Sequence, residues 1–444
     1  PENAVAEVLG GGLSCDAYHP AAPHPEGDGG FAAMEAALRS SGIASGQIDY
    51  INLHGTGTFH NDLSEARAVR RLFENAPPIL SSVKGTFGHS LAAAGAIEAV
   101  IAALCIRSGW IPGNVGCRHP DPDLGLTPAV KPTRADVGKV LSNSFGFGGN
   151  NAAVVLGRPA TRRSETAETP GAYLSIAGSA CISGAGDTEQ TLKALESKRS
   201  CRGRALLNQI TQVLSPNALR RLQRLPRMVL SLAVASHEDA GLDRPPGSVF
   251  FGTGWGPLSE TNDFIQNMLQ GEEAFASPTS FVGSVQNAPA GQVAMHFGAT
   301  GANITAAGGD YSFEQALTVA ALLAPEIDAE QSLVIIGADE YQDPLTDLFD
   351  ASVRTEPTKS DGGGALCVRK ARPDSPARVR AAFFETAGQP GQTVTALVDR
   401  LGGVSHFNDA FGLIMVGIPL AFKDAGRRQF QNLLSLTGFT GPVI

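Results

Sequence analysis

The chain has 444 residues, 43% hydrophobic and 17% charged, with a formal net charge of −9 at neutral pH. That balance predicts a globular protein of two or three domains with large cores, and excludes a disordered chain. The acidic surplus argues against bulk attraction to nucleic acid. The six cysteines, at 15, 105, 117, 181, 201 and 367, form no CxxC pair, so neither a zinc site nor a redox dithiol is signalled. Free thiols predict a reducing, cytoplasmic setting. No run of about 18 or more apolar residues reads as a membrane span, and Pro1–Val8 lacks the pattern of a signal peptide. A chain opening on Pro1 rather than Met points to a fragment or a processed product.

Along the chain, helix and strand alternate. Gly30 to Ser41 has helical periodicity, "IDYINLHGTGT" reads as a buried strand ending in a loop, and Asp62 to Phe73 as an amphipathic helix. "PILSSVKGTFGHS" is a strand and loop, Leu91 to Ile106 an apolar helix, and "KVLSNSFGFGGNNAAVVLG" a strand pair around a glycine-rich turn. The polar stretch "RPATRRSETAET" reads as a linker. Beyond it come a strand in "AYLSIAGSACI", a surface helix in "DTEQTLKALESKR", a buried strand in "SVFFGTGWG", an apolar helix in "YSFEQALTVAALLAP", and strands in "QSLVIIGAD" and "GGGALCVRKA". The alternation predicts α/β architecture. The two regions show no segment-by-segment likeness to each other.

Three short motifs carry chemistry: His54-Gly55-Thr56-Gly57-Thr58 with Asn61-Asp62, Lys84 to His89 ("KGTFGH"), and Asn143 to Asn150 ("NSFGFGGN"). Each sits where a strand delivers its end to a loop, where α/β folds place functional groups. Two neutral imidazoles can donate hydrogen bonds to one developing oxyanion. A lysine five residues before the second imidazole can fix its charge state. A lone histidine near a glycine loop is more often structural, and "GFGGNN" lacks the ending of a phosphate loop. It is the three motifs together, in this order, that point to a site.

With "SCDAYH" and "RHPDPDLGL", these motifs make the region from about Ala6 to Gly157 resemble the C-terminal half of β-ketoacyl-acyl carrier protein synthases, elongating condensing enzymes. The resemblance implies an α/β, thiolase-like fold layered αβαβα. It implies that His54 and His89 bind the thioester carbonyl and assist malonyl decarboxylation, and that Lys84 supports His89. Asp62 and Glu98 would complete the polar network around that lysine, Thr56 and Thr58 would hold the pantetheine arm, and Phe147 would gate the acyl pocket. In that chemistry a cysteine takes the acyl group, and malonyl decarboxylation gives an enolate whose oxygen needs donors in a dry pocket. No metal, nucleotide or flavin cofactor is implied, because the substrate rides on the phosphopantetheine of the carrier protein.

The second region resembles, more weakly, the N-terminal half of the same family. Cys181, in "GSACISG", looks like a nucleophile, yet the resemblance places it in the opening strand and loop. A nucleophile elbow should precede a buried helix whose N-terminus lowers the thiol pKa, whereas the helix after Cys181 is charged. The apolar helix from Tyr311 to Leu323 puts Asp310, or failing that Gly308 or Gly309, at the cysteine position. The cysteines are therefore read as structural. The region resembles a condensing enzyme without its nucleophile, as in chain-length factors and the ketosynthase-like proteins of aryl polyene pathways. The basic run Arg220, Arg221, Arg224 and Arg227 is either a carrier contact or a solvated helix face.

The organisation expected is a ketosynthase C-terminal half at 1–157, a linker at 158–170 and a ketosynthase-like N-terminal-type domain at 171–444. The activity expected is an acyltransferase reaction, decarboxylative Claisen condensation in fatty acid or polyketide synthesis, with the cysteine-bearing half outside this chain. The alternative is a non-catalytic subunit that binds acyl carrier protein or sets chain length. Expected partners are acyl carrier protein and a ketosynthase-type homo- or heterodimer, with neither nucleic acid nor a membrane span.

Overall fold

In a computed structural model, residues 4–74, 76–159, 174–271, 277–350, 354, 358–372, 375, 378–379, 390–414, 416–418 and 423–443 are described. The first part runs β1 (Glu7–Cys15), α1 (Asp28–Ser41), β2 (Tyr50–Asn52), α2 (Phe59–Leu72), β3 (Ile79–Ser81), α3 (Lys84–Phe87), α4 (Ala94–Ser108), β4 (Trp110–Ile111), β5 (Thr133–Arg134), β6 (Lys139–Phe145) and β7 (Asn150–Gly157). The second runs β8 (Leu174–Ile182), α5 (Thr188–Glu196), α6 (Pro216–Leu219), α7 (Arg224–Ala240), β9 (Ser248–Gly252), α8 (Leu258–Gln270), α9 (Pro278–Ser284), α10 (Ala288–Phe297), β10 (Asn303–Ala306), α11 (Ser312–Leu323), β11 (Leu333–Asp339), α12 (Leu345–Phe349), β12 (Gly362–Lys370) and β13 (Arg378–Val379). Three helices, Pro390–Arg400, Val404–Ala410 and Lys423–Thr437, follow and pack on one another.

Among the described residues each part builds one large sheet buried on both faces, and β4 and β5 of the first pair as a separate two-stranded sheet. In the first, Tyr50, Val140 and Leu156 face α4, while their neighbours Ile51, Leu141 and Val155 face α1 and α2. Successive strand residues point to opposite faces, so a strand covered on both sides reads as a continuous apolar run. In the second sheet, Val334 and Ile336 pack with α7 and α10, while Leu333 and Ile335 pack with α11. Fully burying one such aliphatic side chain contributes about 1.5–3 kcal/mol.

The two sheets share a topology that the sequence conceals. The first has the order β1-β7-β6-β2-β3 and the second β10-β9-β11-β12-β8-β13. Counting strands within each part and leaving out β4, β5 and β13, both read 3-2-4-5-1. The pairing directions also match: β2 is parallel to β3 and β6, as β9 is to β10 and β11, and the other pairs are antiparallel. The expectation of no internal likeness is corrected here, since topology rests on the apolar pattern rather than on residue identity. A glycine marks the same point in both units. A Cβ on Gly12 of β1 would meet the Ala33 carbonyl oxygen of α1 at 2.1 Å, and one on Gly178 of β8 would meet the Ala240 nitrogen of α7 at 2.3 Å. Only glycine lets the helix lie that close to the strand.

The thiolase-like α/β expectation holds, each unit forming one α–β–α stack. Most of the proposed linker lies outside the described residues. One membrane expectation needs revision: Leu91–Ser108 is long and apolar enough to cross a bilayer. Here Ala102, Cys105 and Ile106 pack on the first sheet, and Glu98 in the same stretch is buried in an ion pair.

The units meet where β1 and the β6–β7 turn reach α10 and β10. Cys15 donates its backbone N–H to the Thr300 carbonyl at 3.0 Å, and Asn303 donates to the Cys15 sulfur at 3.6 Å.

Candidate active site

The site gathers at the ends of β2, β3 and β6. Strand β2 is fully buried and delivers His54 past Asn52 and Leu53. Glu65, buried on α2, accepts the backbone N–H groups of His54 and Gly55, both at 2.8 Å. Its Oε1 also accepts Asn143 Nδ2 of β6 at 3.1 Å, so one carboxylate ties α2 and β6 to the His54 turn. Ser82 ties that turn to the next motif, its hydroxyl donating to the Gly55 carbonyl at 2.9 Å and its N–H to Asn114 Oδ1 at 2.7 Å.

His54 and His89 stand edge to face, ring centroids 5.4 Å apart. Burial, helped by the Lys84 charge and by His89, pushes the His54 pKa down to about 3. Burial and Lys84 lower His89 as well. Both rings are therefore neutral at physiological pH. His89 Nδ1 accepts the Leu91 backbone N–H at 3.1 Å, which leaves its proton on Nε2. Leu91 is held at φ 52°, a left-handed conformation costing a non-glycine residue about 1–3 kcal/mol.

Lys84 and Glu98 form a salt bridge behind the rings, with side chains 6% and 2% exposed. Burial pushes the Glu98 carboxyl up and Lys84 pulls it back. A cavity of about 450 Å³ opens beside this group, lined by Thr56, Lys84, His89, Asn114 and Cys117 among others but not by His54 or Glu98. Thr56, in that lining, shares a hydroxyl hydrogen bond of 2.9 Å with Thr58.

The structure therefore brings together His54, Lys84, His89, Glu98 and Thr56. Asp62 lines the cavity but takes a different place from the one expected. It accepts the Gly57 N–H at 3.2 Å and Asn61 Nδ2 at 3.1 Å, bracing the glycine loop. The acid that serves the histidine turn is Glu65, which the sequence reading missed. A signal was present: Glu65 falls with Ala66, Ala68 and Val69 on the buried face of α2, and a buried acid needs donors. Phe147 does not line this cavity, and it faces the second unit instead.

In the second unit, β10 runs through Gly308, Gly309 and Asp310 into α11. The loop is pinned by Ser312, whose hydroxyl donates to the Thr253 carbonyl at 2.7 Å and accepts the Gly308 N–H at 2.9 Å. It corresponds in topology to the Lys84–His89 loop after β3. A cavity of about 940 Å³ there is lined by Asp310 and, across it, Cys181. Burial pushes the Cys181 thiol up, the opposite of nucleophile activation.

The basic run splits. Arg220 and Arg221 are exposed. Arg224 turns inward as a fork onto Asp361, at 2.6 and 2.8 Å, and Arg227 donates to the Leu219 and Leu222 carbonyls. The reading of Arg224 and Arg227 as surface contacts is corrected, because the buried face of α7 carries them toward partners that need their charge and donors.

Two family models match the chain. The β-ketoacyl synthase C-terminal domain covers residues 5–118 and the β-ketoacyl synthase N-terminal domain residues 203–362. The chain is ketosynthase-like. It is 44% identical over 154 residues to 3-oxoacyl-[acyl-carrier-protein] synthase II, chloroplastic, of Arabidopsis thaliana, covering 34% of this chain and 28% of that protein. It is 42% identical over 159 residues to 3-oxoacyl-[acyl-carrier-protein] synthase 2 of Staphylococcus aureus, covering 35% and 39%. The ketosynthase-like chain thus spans well under half of these curated relatives. A solved structure titled "PfaC Keto synthase-Chain length factor" shares its fold, with a TM-score of 0.77 at 19% identity over 99% of this chain and 56% of that one.

Proposed function

We propose that the His54–His89 site stabilises the enolate formed when a carrier-bound malonyl thioester loses CO2, within a condensing enzyme of fatty acid or polyketide synthesis. The observation that carries this reading is the pair of neutral rings, edge to face at 5.4 Å and backed by a buried ion pair. Uncharged N–H donors held in place can receive a developing oxyanion without first giving up a proton. Lys84 helps keep the rings neutral and leaves both free to donate.

The malonyl carboxylate would leave as CO2, its bonding pair moving through carbon to the thioester oxygen. The enolate carbon would then attack an acyl-cysteine thioester and expel the thiolate, giving a β-ketoacyl product. Thr56 and Thr58 stand where a pantetheine arm would pass. The acyl-cysteine would come from another half-domain or a partner ketosynthase, and a carrier protein would deliver the substrate in the cytoplasm. The second unit would be a nucleophile-free partner of chain-length-factor type.

CO2 release from labelled malonyl carrier protein, with the full-length protein, tests this. His54→Ala and His89→Ala should each slow release by about 10²–10³. Rates equal to the unsubstituted protein would overturn the proposal. A second reading, a non-catalytic carrier-binding subunit, is favoured by Asp310 at the elbow position. Carrier binding with CO2 release at background would select it.

A further inference from the structure

Strand β3 lies at the edge of the first sheet, and among the described residues β2 is its one strand neighbour. From its end hang Lys84 and, beyond the short helix α3, His89. Its open edge is held by segment 112–129 instead of by a strand. Ala129 donates its N–H to the Leu80 carbonyl at 2.8 Å, Ser81 its hydroxyl to the Pro112 carbonyl at 2.7 Å, and Ser82 its N–H to Asn114 Oδ1 at 2.7 Å. In the last contact a side-chain oxygen fills the place of a neighbouring strand's carbonyl. Only the amide oxygen can accept an N–H, so this contact fixes the orientation of the Asn114 side chain. Ser82, 5% exposed, passes the hold on to two motifs. Its hydroxyl donates to the Gly55 carbonyl at 2.9 Å and accepts the Lys84 N–H at 3.3 Å. Gly55 follows His54 at φ 43°, and a Cβ there would lie 2.5 Å from the Ser82 Cβ. Beyond Lys84, a Cβ on Gly85 would lie 2.1 Å from the carbonyl oxygen of Val115. Residues 114 and 115 thus brace the Lys84 turn from both ends.

We propose that Asn114 is a positioning residue of the histidine site: its side-chain oxygen closes the open end of β3, and its hold on Ser82 fixes the Gly55 carbonyl beside His54 and the Lys84 N–H. Asn114 also lines the cavity beside His89, so direct contact with substrate is the rival role. The positioning claim concerns the rings of the unliganded protein. Its effect on turnover rests on the proposed function.

Imidazole NMR on the unliganded full-length protein, labelled at histidine, reads the rings directly. Asn114→Leu, near-isosteric and without an acceptor, should move the signals of His54 and His89 and leave those of His237 and His296, in the second unit, in place. Unmoved signals at His54 and His89 overturn the proposal. Movement at His237 and His296 as well also overturns it, because Asn114 would then hold the fold rather than the site. Asn114→Leu should raise hydrogen exchange at the Ser82 amide by about three- to tenfold, the worth of one hydrogen bond, and Asn114→Asp, which keeps an acceptor, should restore it. In CO2 release from malonyl carrier protein, Asn114→Leu should lower kcat by about ten- to hundredfold with KM within about twofold, the signature of displaced groups, and Asn114→Asp should recover most of kcat. A raised KM with unchanged kcat overturns positioning in favour of substrate contact. Ser82→Ala combined with Asn114→Leu should lose no more than the worse single variant, since both break one chain of contacts, and additive losses overturn the route through Ser82. Failure of the unsubstituted protein to release CO2 overturns the proposed function, and the NMR result then decides the positioning by itself.

Discussion

Lys84 and Glu98 are each other's ionic partner in a place where water reaches neither well, and both histidines stand against that pair. Removing one charge strands the other. Lys84→Ala or Glu98→Ala alone should therefore cost about 3–5 kcal/mol, measured by urea unfolding. Lys84→Met with Glu98→Leu should recover most of that loss. The double variant should also raise the His89 pKa, seen by NMR titration, because a cation that depresses it is gone.

His54 makes stability depend on pH. Its pKa falls on folding from 6.5 to about 3, so between those values the unfolded chain binds a proton that the folded chain refuses. The contribution is complete above pH 6.5 and is lost as pH falls toward 3, at a slope of about 1.4 kcal/mol per unit. Comparing the unsubstituted protein with His54→Gln at each pH isolates this effect from the carboxylates. Parallel curves for the two proteins would refute it.

The thiols divide by environment. Burial raises the pKa of Cys15, Cys181 and Cys367 and pushes Cys105 up to about 11. Cys117 and Cys201 are half-buried, as is Cys181. Iodoacetamide at pH 7.5 should label Cys117 and Cys201 first, as read by peptide mass spectrometry. Because Cys117 lines the histidine cavity, an acyl-pantetheinamide should protect it and leave Cys201 reactive.

The arginines of the basic run should separate in the same protein. Arg224→Ala removes the guanidinium fork from Asp361, whose side chain is 0% exposed, leaving it the longer Arg204 contact at 3.7 Å, and should cost up to about 3–5 kcal/mol in urea unfolding. Arg220→Glu with Arg221→Glu should change stability by less than about 0.5 kcal/mol per site. If these two attract an acidic carrier, the reversal weakens its binding most at low salt. Equal binding at low salt would remove them from the carrier surface.

Much of this was legible because it is local. Period-two and helical patterning placed β2, β3, β6–β9, β11 and β12 with α1, α2, α4, α5 and α11, while β1, β10 and α8–α10 went unread, and the glycine loops marked the three strand ends that meet at the site. What escaped depends on which way a side chain turns. Asp62 and Glu65 are both acids on α2, and only the second falls on its buried face. Arg224 read as surface charge because its partner, Asp361, lies 137 positions away. The repeated sheet escaped for the same reason. Gly12 and Gly178 do one job in two places, yet the residues around them differ.

Among the described residues neither sheet borrows a strand from the other: the first lies between Glu7 and Gly157 and the second between Leu174 and Val379. Two modules that each close their own sheet could be encoded as separate polypeptides and still dock through Cys15 and Asn303. Carrying both on one polypeptide fixes their stoichiometry at synthesis. One translation event delivers one of each, and the balance of expression that two genes would have to maintain no longer matters.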